Sequence, residues 1–249
     1  MNYQFQSISD QGAFRSNNED AIKFGVELNG ELVWMVVADG MGGHLAGEVA
    51  SNLFVDEIEA AIQEIEDTTD VDWLCWLEIE INRANNKIYL SSQKNTEQKG
   101  MGTTGVVVIY YRNRAYIGWV GDSRCYVYQK DNKEQILSQL TTDHTMIQAL
   151  LDKGAITEKE AENANNKNML SKAIGVKKGV EVETKSVPIH TRAVLLLSTD
   201  GLHDSLSNKQ LLSSVKDISN GIEVTKDLVK LSIKNGSKDN ITLGSILIS

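Results

Sequence analysis

Four aspartates lie where short apolar stretches of the sequence begin or end. They occur in the pairs Asp39-Gly40, Gly121-Asp122, Asp200-Gly201 and Asp239-Asn240. A fifth acidic site, Glu19-Asp20, lies near the N-terminus, with Arg15 just before it. Strand ends are rigid platforms, and several carboxylates at one end of a sheet repel one another unless cations neutralise them. The pattern therefore favours a metal site, although an Asp-Gly pair after a strand is also a common turn.

The available ligand types indicate which cation such a site would bind. The chain has four histidines and two cysteines, and neither Cys75 nor Cys125 has a second cysteine or a histidine at metal-ligand spacing. Oxygen ligands suit Mg²⁺ or Mn²⁺, with Ca²⁺ as an alternative. Two such ions about 3.5–4 Å apart can hold a phosphoryl group and supply a hydroxide near neutral pH. The glycine after Asp39 would leave its own carbonyl free to turn toward a metal.

Apolar periodicity predicts the elements that would position these carboxylates. Continuous apolar stretches at 32–38 and 194–198 predict strands that are buried on both faces. Helical spacing over 46–65 and 74–88 predicts two long amphipathic helices. The remaining predicted elements are strands at 103–111, 115–120, 125–128, 134–140 and 241–248, and helices at 144–153, 209–215 and 224–233. Residues 155–176 are polar and irregular.

The order of these elements indicates the fold class. Strands and helices do not alternate as they would in a doubly wound sheet. A helix pair, a run of strands, further helices and a closing strand favour an α+β fold, with antiparallel sheet covered by pairs of helices. No linker-like composition divides the 249 residues, so we expect one domain covering 1–249.

Bulk composition narrows the range of partners. The net charge is −9 and the isoelectric point about 5.0, so phosphate backbones and anionic lipid would repel the chain. We therefore expect no nucleic acid and no membrane as partners. Isolated cysteines and an N-terminus without a basic-then-apolar pattern favour the cytoplasm, and we expect a monomer.

Seven short segments that contain or adjoin these residues resemble the motifs of the metal-dependent protein phosphatases of the PPM, or type 2C, family. They are RSNNED at 15–20, ADGMGGHLAGEVAS at 38–51, GMGTTG at 100–105, GWVGDSR at 118–124, LTTDHT at 140–145, STDGL at 198–202 and KDNIT at 238–242. The segments occur in the family's order and span nearly the whole chain. The short form without additional domains is similar to the bacterial branch.

The resemblance implies a fold and a set of metal ligands. The fold would be a central antiparallel β-sandwich flanked by pairs of α-helices, in four layers (αββα). A flap segment at about residues 144–176 would lie beside the active site. Asp39 would bridge two Mn²⁺ or Mg²⁺ ions, and the Gly40 carbonyl would bind one of them. Asp200 and Asp239 would bind the other ion.

The resemblance also implies roles around those two ions. Glu19 and Asp20 would orient metal-bound waters, and Asp122 would hold a third, weaker ion with the help of Asp200. Arg15 would pair bidentately with the substrate phosphate. The implied activity is the hydrolysis of phosphoserine and phosphothreonine esters in proteins phosphorylated by Ser/Thr kinases, by direct attack of the metal-bridging hydroxide.

The chain departs from the family pattern at the proton donor. Eukaryotic relatives have a histidine directly after the Asp-Gly pair, where this chain has Met41, and His44 follows three residues later. His44 is the candidate to protonate the leaving group. It could instead cap the helix predicted from Ala46, because a metal-bound water can also donate the proton.

Three other functions compete with this one. Gly40-Met41-Gly42-Gly43 after a strand resembles a nucleotide-binding turn, but Leu45 occupies the last position, where glycine or alanine is needed. A catalytically weak regulator that binds phosphoproteins would have lost a metal aspartate, and none is missing. A phosphatase for small phosphoesters stays open.

A local excess of lysines bears on the choice of substrate. Between Asn163 and Val180 there is no acidic residue, whereas four lysines occur there, at 167, 172, 177 and 178. They predict a docking surface for acidic phosphoproteins in or just after the flap segment. An ordinary solvated surface would have the same composition.

Overall fold

The strands and helices of the chain alternate in groups rather than one by one. The computed structural model describes residues 2–42, 46–131, 134–162, 164, 168–190 and 192–249. The strands are β1 (Tyr3–Asp10), β2 (Asp20–Glu27), β3 (Leu32–Met41), β4 (Gly102–Thr103), β5 (Gly105–Tyr111), β6 (Arg114–Val120), β7 (Arg124–Asp131), β8 (Glu134–Gln139), β9 (Glu183–Pro188), β10 (Ala193–Ser198) and β11 (Ile241–Ile248). The helices are α1 (Ala46–Gln63), α2 (Trp73–Lys94), α3 (Met146–Asp152), α4 (Glu158–Glu162), α5 (Asp200–His203), α6 (Asn208–Ser219) and α7 (Thr225–Lys234).

Two antiparallel sheets form the centre of the fold. The first has the strand order β1-β11-β10-β7-β8, and the second has the order β2-β3-β5-β6-β9, with β4 paired to the end of β3. Every pairing of named strands is antiparallel. A dinucleotide-binding fold needs parallel strands, so this pairing excludes the nucleotide-binding alternative.

Strand β3 shows how the layers are stacked. Val33, Met35 and Val37 point into an apolar core shared with the other sheet. Trp34 and Val36 point the opposite way, into a core shared with α1 and α2. Side chains alternate across a strand, so a strand between two apolar layers must be apolar at every position. The prediction of a strand buried on both faces is confirmed here.

The helices α5, α6 and α7 cover the outer face of the first sheet. Leu196 of β10 packs in a third core with Val215 of α6 and Leu228 of α7. The helix pair α1 and α2 covers the second sheet in the same way. The predicted α+β sandwich, with four layers in the order αββα, is therefore confirmed.

Three strands were not predicted, and all three lie at sheet edges. These are β1, β2 and β9. An edge strand is half exposed, as the mixed burial along β1 and β9 shows, so its sequence has no continuous apolar stretch. The predicted strand at 103–111 is interrupted at Thr104, and the irregular stretch at 155–176 contains the short helix α4.

The helices of the described residues differ in length, from four residues in α5 to 22 in α2. Among these residues, no helix combines the length and the apolar character that crossing a bilayer would need.

Candidate metal centre

The predicted acidic residues meet at one open end of the sandwich. Asp39 and Gly40 are among the last residues of β3, so they lie within the strand rather than after it. Asp122 lies in the turn after β6, and Asp200 begins α5 directly after β10. Asp239 lies two residues before β11. Since β3 and β6 belong to one sheet and β10 and β11 to the other, the site spans both sheets.

These residues line a cavity of about 610 Å³. Its lining includes the predicted residues Arg15, Glu19, Asp39, Gly40, Asp122, Asp200 and Asp239. The opposite wall of the cavity comes from residues 168–181, which follow the short helices of the flap segment. Asp20 is not part of the lining, because it is buried behind it with only 7 % of its surface exposed.

The backbone of Asp39 is held on both sides by two threonines. Its amide donates to Thr104 Oγ1 at 2.9 Å, and its carbonyl accepts from the Thr104 amide at 2.8 Å. The Thr103 hydroxyl donates to the same carbonyl at 2.9 Å. Thr104 Oγ1 also lies 2.7 Å from the hydroxyl of Ser123, next to Asp122. One threonine thus links two of the predicted metal ligands.

Asp20 lies behind Asp39 as its register partner in the β2–β3 pair. The Thr199 hydroxyl donates to Asp20 Oδ2 at 2.9 Å. Burial raises the pKa of Asp20, and the charges of Asp200 and Asp239 add to the increase. Asp20 therefore joins the two sheets directly beneath the cavity.

Electrostatic repulsion marks this group of carboxylates. Burial raises the pKa of Asp39 well above its ordinary range, and the nearby charges of Asp20 and Asp200 raise it further. Burial, followed by Asp200, raises the pKa of Asp122 to about 7. The pKa of Asp200 is raised by burial and then by Asp239. A bound cation would relieve this repulsion.

The donor atoms suit a hard divalent cation. Among the described residues, Asp200 Oδ1 is buried without a hydrogen-bond partner, which leaves it free to act as a ligand. As they are placed, however, no three described His, Cys, Asp or Glu side chains form a group that could hold a metal ion. The two observations are compatible, because Mg²⁺ and Mn²⁺ sites often use one or two carboxylates together with waters and backbone carbonyls.

Arg15 already contacts one of the predicted ligands. Its Nη2 donates to Asp239 Oδ2 at 2.6 Å, and the side chains of Arg15 and Asp239 are 49 % and 34 % exposed. In this arrangement the guanidinium neutralises a carboxylate at the edge of the cavity. Its exposed part still faces the space that a phosphate would enter.

Asn240 holds the loop that carries Arg15 and Glu19. Its side chain accepts a hydrogen bond from the Glu19 amide and donates to the carbonyls of Gln11 and Asn17, each at 2.9 Å. Asn240 is 5 % exposed, so these bonds are shielded from water. Neither Asn240 nor Thr104 was predicted to have a role, although they lie inside the KDNIT and GMGTTG segments. Asn240 adjoins Asp239 in the sequence, but neither residue's distant backbone partners could be read from its neighbours.

The structure shows a second reason for glycine at position 40, besides the predicted metal-binding carbonyl. A Cβ on Gly40 would come within 2.1 Å of the Gly47 carbonyl oxygen in α1 and 2.6 Å of the Glu19 carbonyl oxygen. Glycine is thus needed there because the first turn of α1 packs directly against the strand. Whether the Gly40 carbonyl binds a metal stays a prediction.

The candidate proton donor His44 lies outside the described residues. Met41, at the position where eukaryotic relatives have histidine, lines the cavity. It cannot exchange a proton, so the choice between His44 and a water as proton donor stays open.

Comparison with known proteins gives consistent findings. A family model described as protein phosphatase 2C matches residues 13–231. The serine/threonine phosphatase stp of Listeria innocua is 36 % identical over 248 residues, which is 98 % of this chain and 94 % of that protein. The structure of the S. agalactiae serine/threonine phosphatase aligns with a TM-score of 0.88 at 29 % identity, covering 100 % of both chains. The catalytic domain of the phosphatase PstP, in complex with two manganese ions, aligns with a TM-score of 0.80 at 28 % identity, covering 99 % of both chains.

Proposed function

This chain belongs to the protein phosphatase 2C family as a bacterial metal-dependent serine/threonine phosphatase, and from that membership we propose that it hydrolyses phosphoserine and phosphothreonine esters at a binuclear manganese or magnesium centre. One observation carries the proposal: carboxylates from both sheets meet at one cavity and raise one another's pKa. When bound, two divalent cations would neutralise these carboxylates, polarise the phosphoryl group and lower the pKa of a water. The related phosphatase structure with two manganese ions supports this reading.

The ligands are assigned from position. Asp39 would contact both cations, with the Gly40 carbonyl on one of them. Asp200 and Asp239 would hold the other. Asp200 Oδ1 is the best-supported of these atoms, because it is buried and has no hydrogen-bond partner within the described residues. The fixed backbone of Asp39 supports its central place, since a rigid ligand loses little entropy on binding.

Three other acidic residues complete the assignment. Glu19 lines the cavity, and Asp20 lies behind it, so both would orient waters rather than bind a cation directly. Asp122, on the side nearer the flap segment, would contribute to a third and weaker cation site.

Arg15 would bind the phosphate of the substrate. Its planar guanidinium can donate two parallel hydrogen bonds to phosphate oxygens. The contact with Asp239 aims the guanidinium at the cavity, and the Asn240 bonds hold its loop in place. Arg15 would stabilise negative charge that develops on the phosphoryl oxygens in the transition state.

The reaction needs no nucleophile from the protein. Ser123 is 2 % exposed and shares its hydrogen bond with Thr104. Ser198 is fully buried against His203 Nδ1 at 2.9 Å. Neither serine lines the cavity, so a water is the proposed nucleophile. The proton for the leaving seryl or threonyl oxygen would come from a water or from His44.

The substrates are proposed to be proteins phosphorylated by serine/threonine kinases. The related proteins named serine/threonine phosphatases support this class. We further propose that the flap segment, residues 144–176, contacts the polypeptide around the phosphorylated residue. The reason is that the flap segment continues into residues 168–181, which form one wall of the cavity. A regulator without turnover or a phosphatase for small esters has no observation in its favour here.

Phosphate release from a phosphothreonine peptide tests the proposal. We expect release that requires added Mn²⁺ or Mg²⁺, stops in excess chelator and is absent in Asp39→Ala. Asp70→Ala is the matched control, because Asp70 is an exposed aspartate in the turn between α1 and α2. Full activity in excess chelator, or a requirement for Zn²⁺, would reject the two-metal proposal. Activity toward a small aryl phosphate without any toward the peptide would favour the small-ester alternative.

A further inference from the structure

The histidine of the LTTDHT segment has no role in the function proposed so far, yet it is one of the most constrained side chains near the cavity. His144 is 5 % exposed, and its ring stacks on Trp119 with centroids 6.3 Å apart and planes 16° apart. Both ring nitrogens have partners. The Gly121 amide donates to Nδ1 at 3.0 Å, and Nε2 lies 2.9 Å from Glu183 Oε1.

These two contacts specify the state of the ring. Because the Gly121 amide can only donate, Nδ1 must accept and therefore carries no proton. A neutral histidine then has its proton on Nε2, which donates it to the Glu183 carboxylate. Burial lowers the pKa of His144, partly offset by Glu183, in agreement with a neutral ring. The neutral Nε2–H tautomer satisfies both contacts at once.

The bond to Gly121 acts on the predicted ligand next to it. Gly121 has a φ of +105°, a conformation that other residues rarely adopt, and the His144 amide donates back to the Gly121 carbonyl at 3.0 Å. On the other side of Asp122, the Ser123 hydroxyl is bonded to Thr104. Asp122 is thus held between two fixed neighbours.

The same histidine lies at the start of the flap segment. The Ser171 amide donates to the His144 carbonyl at 2.8 Å, and the Met146 amide donates to the Met169 carbonyl at 2.8 Å. Thr145 and Leu170 form an isolated antiparallel bridge between these bonds. The two ends of the flap segment are therefore joined at His144.

We propose that His144 is a positioning residue that holds the Asp122 turn against the root of the flap segment, through a neutral ring that accepts a hydrogen bond from the Gly121 amide. The metal-binding role of Asp122 rests on the proposed function, but the hydrogen bond and the tautomer do not. Loss of the bond would free the turn and weaken the most labile cation site, whereas the helices and sheets would keep their packing.

Two substitutions separate the two nitrogens. In asparagine, Oδ1 is bonded to Cγ as Nδ1 is in histidine, so His144→Asn keeps an acceptor for the Gly121 amide and loses the contact with Glu183. In glutamine, Nε2 is as many bonds from Cα as it is in histidine, so His144→Gln keeps a donor to Glu183 and loses the acceptor. Both remove the ring from Trp119, which makes them matched controls for each other.

The first readout is the metal-free protein in solution. We expect ring ¹⁵N shifts of the Nε2–H tautomer in the wild type. The Gly121 amide should exchange slowly in the wild type and in His144→Asn, and about 10-fold or more faster in His144→Gln, as expected for a lost buried hydrogen bond. A ring protonated on Nδ1, or equal exchange in both variants, would overturn the proposal whatever the enzyme does.

The second readout is calorimetry with Mn²⁺, paired with the turnover of an aryl phosphate. His144→Gln should weaken the weakest Mn²⁺ site by about 10-fold, as expected for losing a positioning partner of a metal ligand, and lower kcat by no more than the roughly ten-fold expected for Asp122→Ala. His144→Asn should stay close to the wild type, and KM for the ester should change little in either variant. Impairment of His144→Asn alone would assign the effect to Glu183, and equal impairment of both would reduce His144 to a packing residue. Either result would refute the positioning role.

Discussion

The two walls of the cavity are held in different ways. The carboxylate wall, formed by Asp39, Asp122, Asp200 and Asp239, comes from strand ends and the turns beside them. Buried threonines hold the Asp39 backbone, and the buried Asn240 beside Asp239 holds the loop that carries Arg15 and Glu19. The flap wall, residues 168–181, has exposed side chains at Met169 and Val176 and surface ion pairs at Lys172.

This difference separates two requirements of the proposed reaction. Stabilising charge on a phosphoryl group needs ligands that do not move, because reorganisation would cost free energy at the moment of reaction. By contrast, a surface that recognises different phosphoproteins can change its side-chain conformations from one substrate to the next. We therefore expect changes to the carboxylate wall to affect every substrate alike. Changes to the flap wall should depend on the substrate and on salt.

The largest expected effect is on the carboxylate wall. Asp39→Ala should lower kcat/KM by at least ~10³-fold toward a peptide and an aryl phosphate alike, because the central metal ligand is lost. Steady-state kinetics with saturating Mn²⁺ measures both. Asp239→Ala should behave similarly.

His44→Ala provides the contrast, since a water can replace histidine as proton donor. The kcat/KM of His44→Ala should fall far less than that of Asp39→Ala. If the two variants were equally impaired, His44 would be the essential proton donor, and the order of importance would be reversed.

The second prediction concerns the stability of the metal-free protein. Burial raises the pKa of Asp122 from 3.8 to about 7, so its folded form binds a proton more tightly than its unfolded form. The contribution of Asp122 to the free energy of unfolding is complete below about pH 4 and is lost as the pH rises through about 7. Asp122→Asn cannot ionise. As the pH rises from 5 to 8 in chelator, the free energy of unfolding of the variant should therefore increase by on the order of 3 kcal/mol relative to that of the wild type.

Urea unfolding at both pH values measures this difference. The buried histidines His144 and His203 have lowered pKa values and act in the opposite direction, but equally in both proteins. Comparing the two proteins therefore measures the contribution of Asp122 together with its repulsion of Asp39. Added Mn²⁺ should remove most of the difference, because a cation neutralises the carboxylate. A variant that followed the wild type in chelator would mean that Asp122 is not buried with other charges.

Central strands and edge strands differ in how well the sequence predicted them. The apolar stretches that became β3 and β10 are buried on both faces, so hydrophobicity alone marked them and the aspartates at their ends. By contrast, the edge strands β1, β2 and β9 pair with residues far away in the chain or lie half exposed. Local pattern carries little information about such pairing.

Hydrogen-bonding residues were the hardest to predict. The side chains of Asn240 and Thr104 act through backbone groups that are distant in sequence, and nothing in local composition shows this. A distant partner also changes one of the four lysines predicted to form a docking surface, which stays a prediction. Lys172 pairs with Glu181 at 2.9 Å, one residue beyond the stretch that lacks acidic residues, and Lys167 lies outside the described residues. A window of sequence therefore could not show that Lys172 is paired, and the exposed Lys177 and Lys178 carry the docking prediction.

The third prediction tests the division within the carboxylate wall. Asp122→Ala should leave two Mn²⁺ bound and lower kcat by roughly ten-fold, or about 1.4 kcal/mol in activation free energy. The reason is that Asp122 is assigned to the third and weakest cation. Calorimetry and a crystal structure of the variant with Mn²⁺ measure the stoichiometry. Loss of all bound metal would contradict this assignment and place Asp122 with Asp39.

The smallest expected effect lies on the flap wall. Lys177 and Lys178 are exposed, and Lys177 lines the cavity. Their backbone carbonyls accept hydrogen bonds from the buried Asn85 side chain at 3.0 and 3.2 Å, which new side chains would leave in place. Changing both lysines to Glu should therefore keep the fold and reverse the charge at the rim.

Exposed rim charges mainly steer encounter, and their influence fades with salt. The Lys177→Glu, Lys178→Glu protein should show kcat/KM for an acidic phosphoprotein lower by about 3-fold to 10-fold at low salt, and near the wild type at high salt. The aryl phosphate should be hydrolysed as before, because it is too small to reach the rim. Lys209→Glu with Lys216→Glu, on the exposed face of α6, makes the same change in net charge away from the cavity and should leave both substrates unaffected. Equal losses on both substrates would mean that the two lysines support the metal centre, and the distinction between the walls would fail.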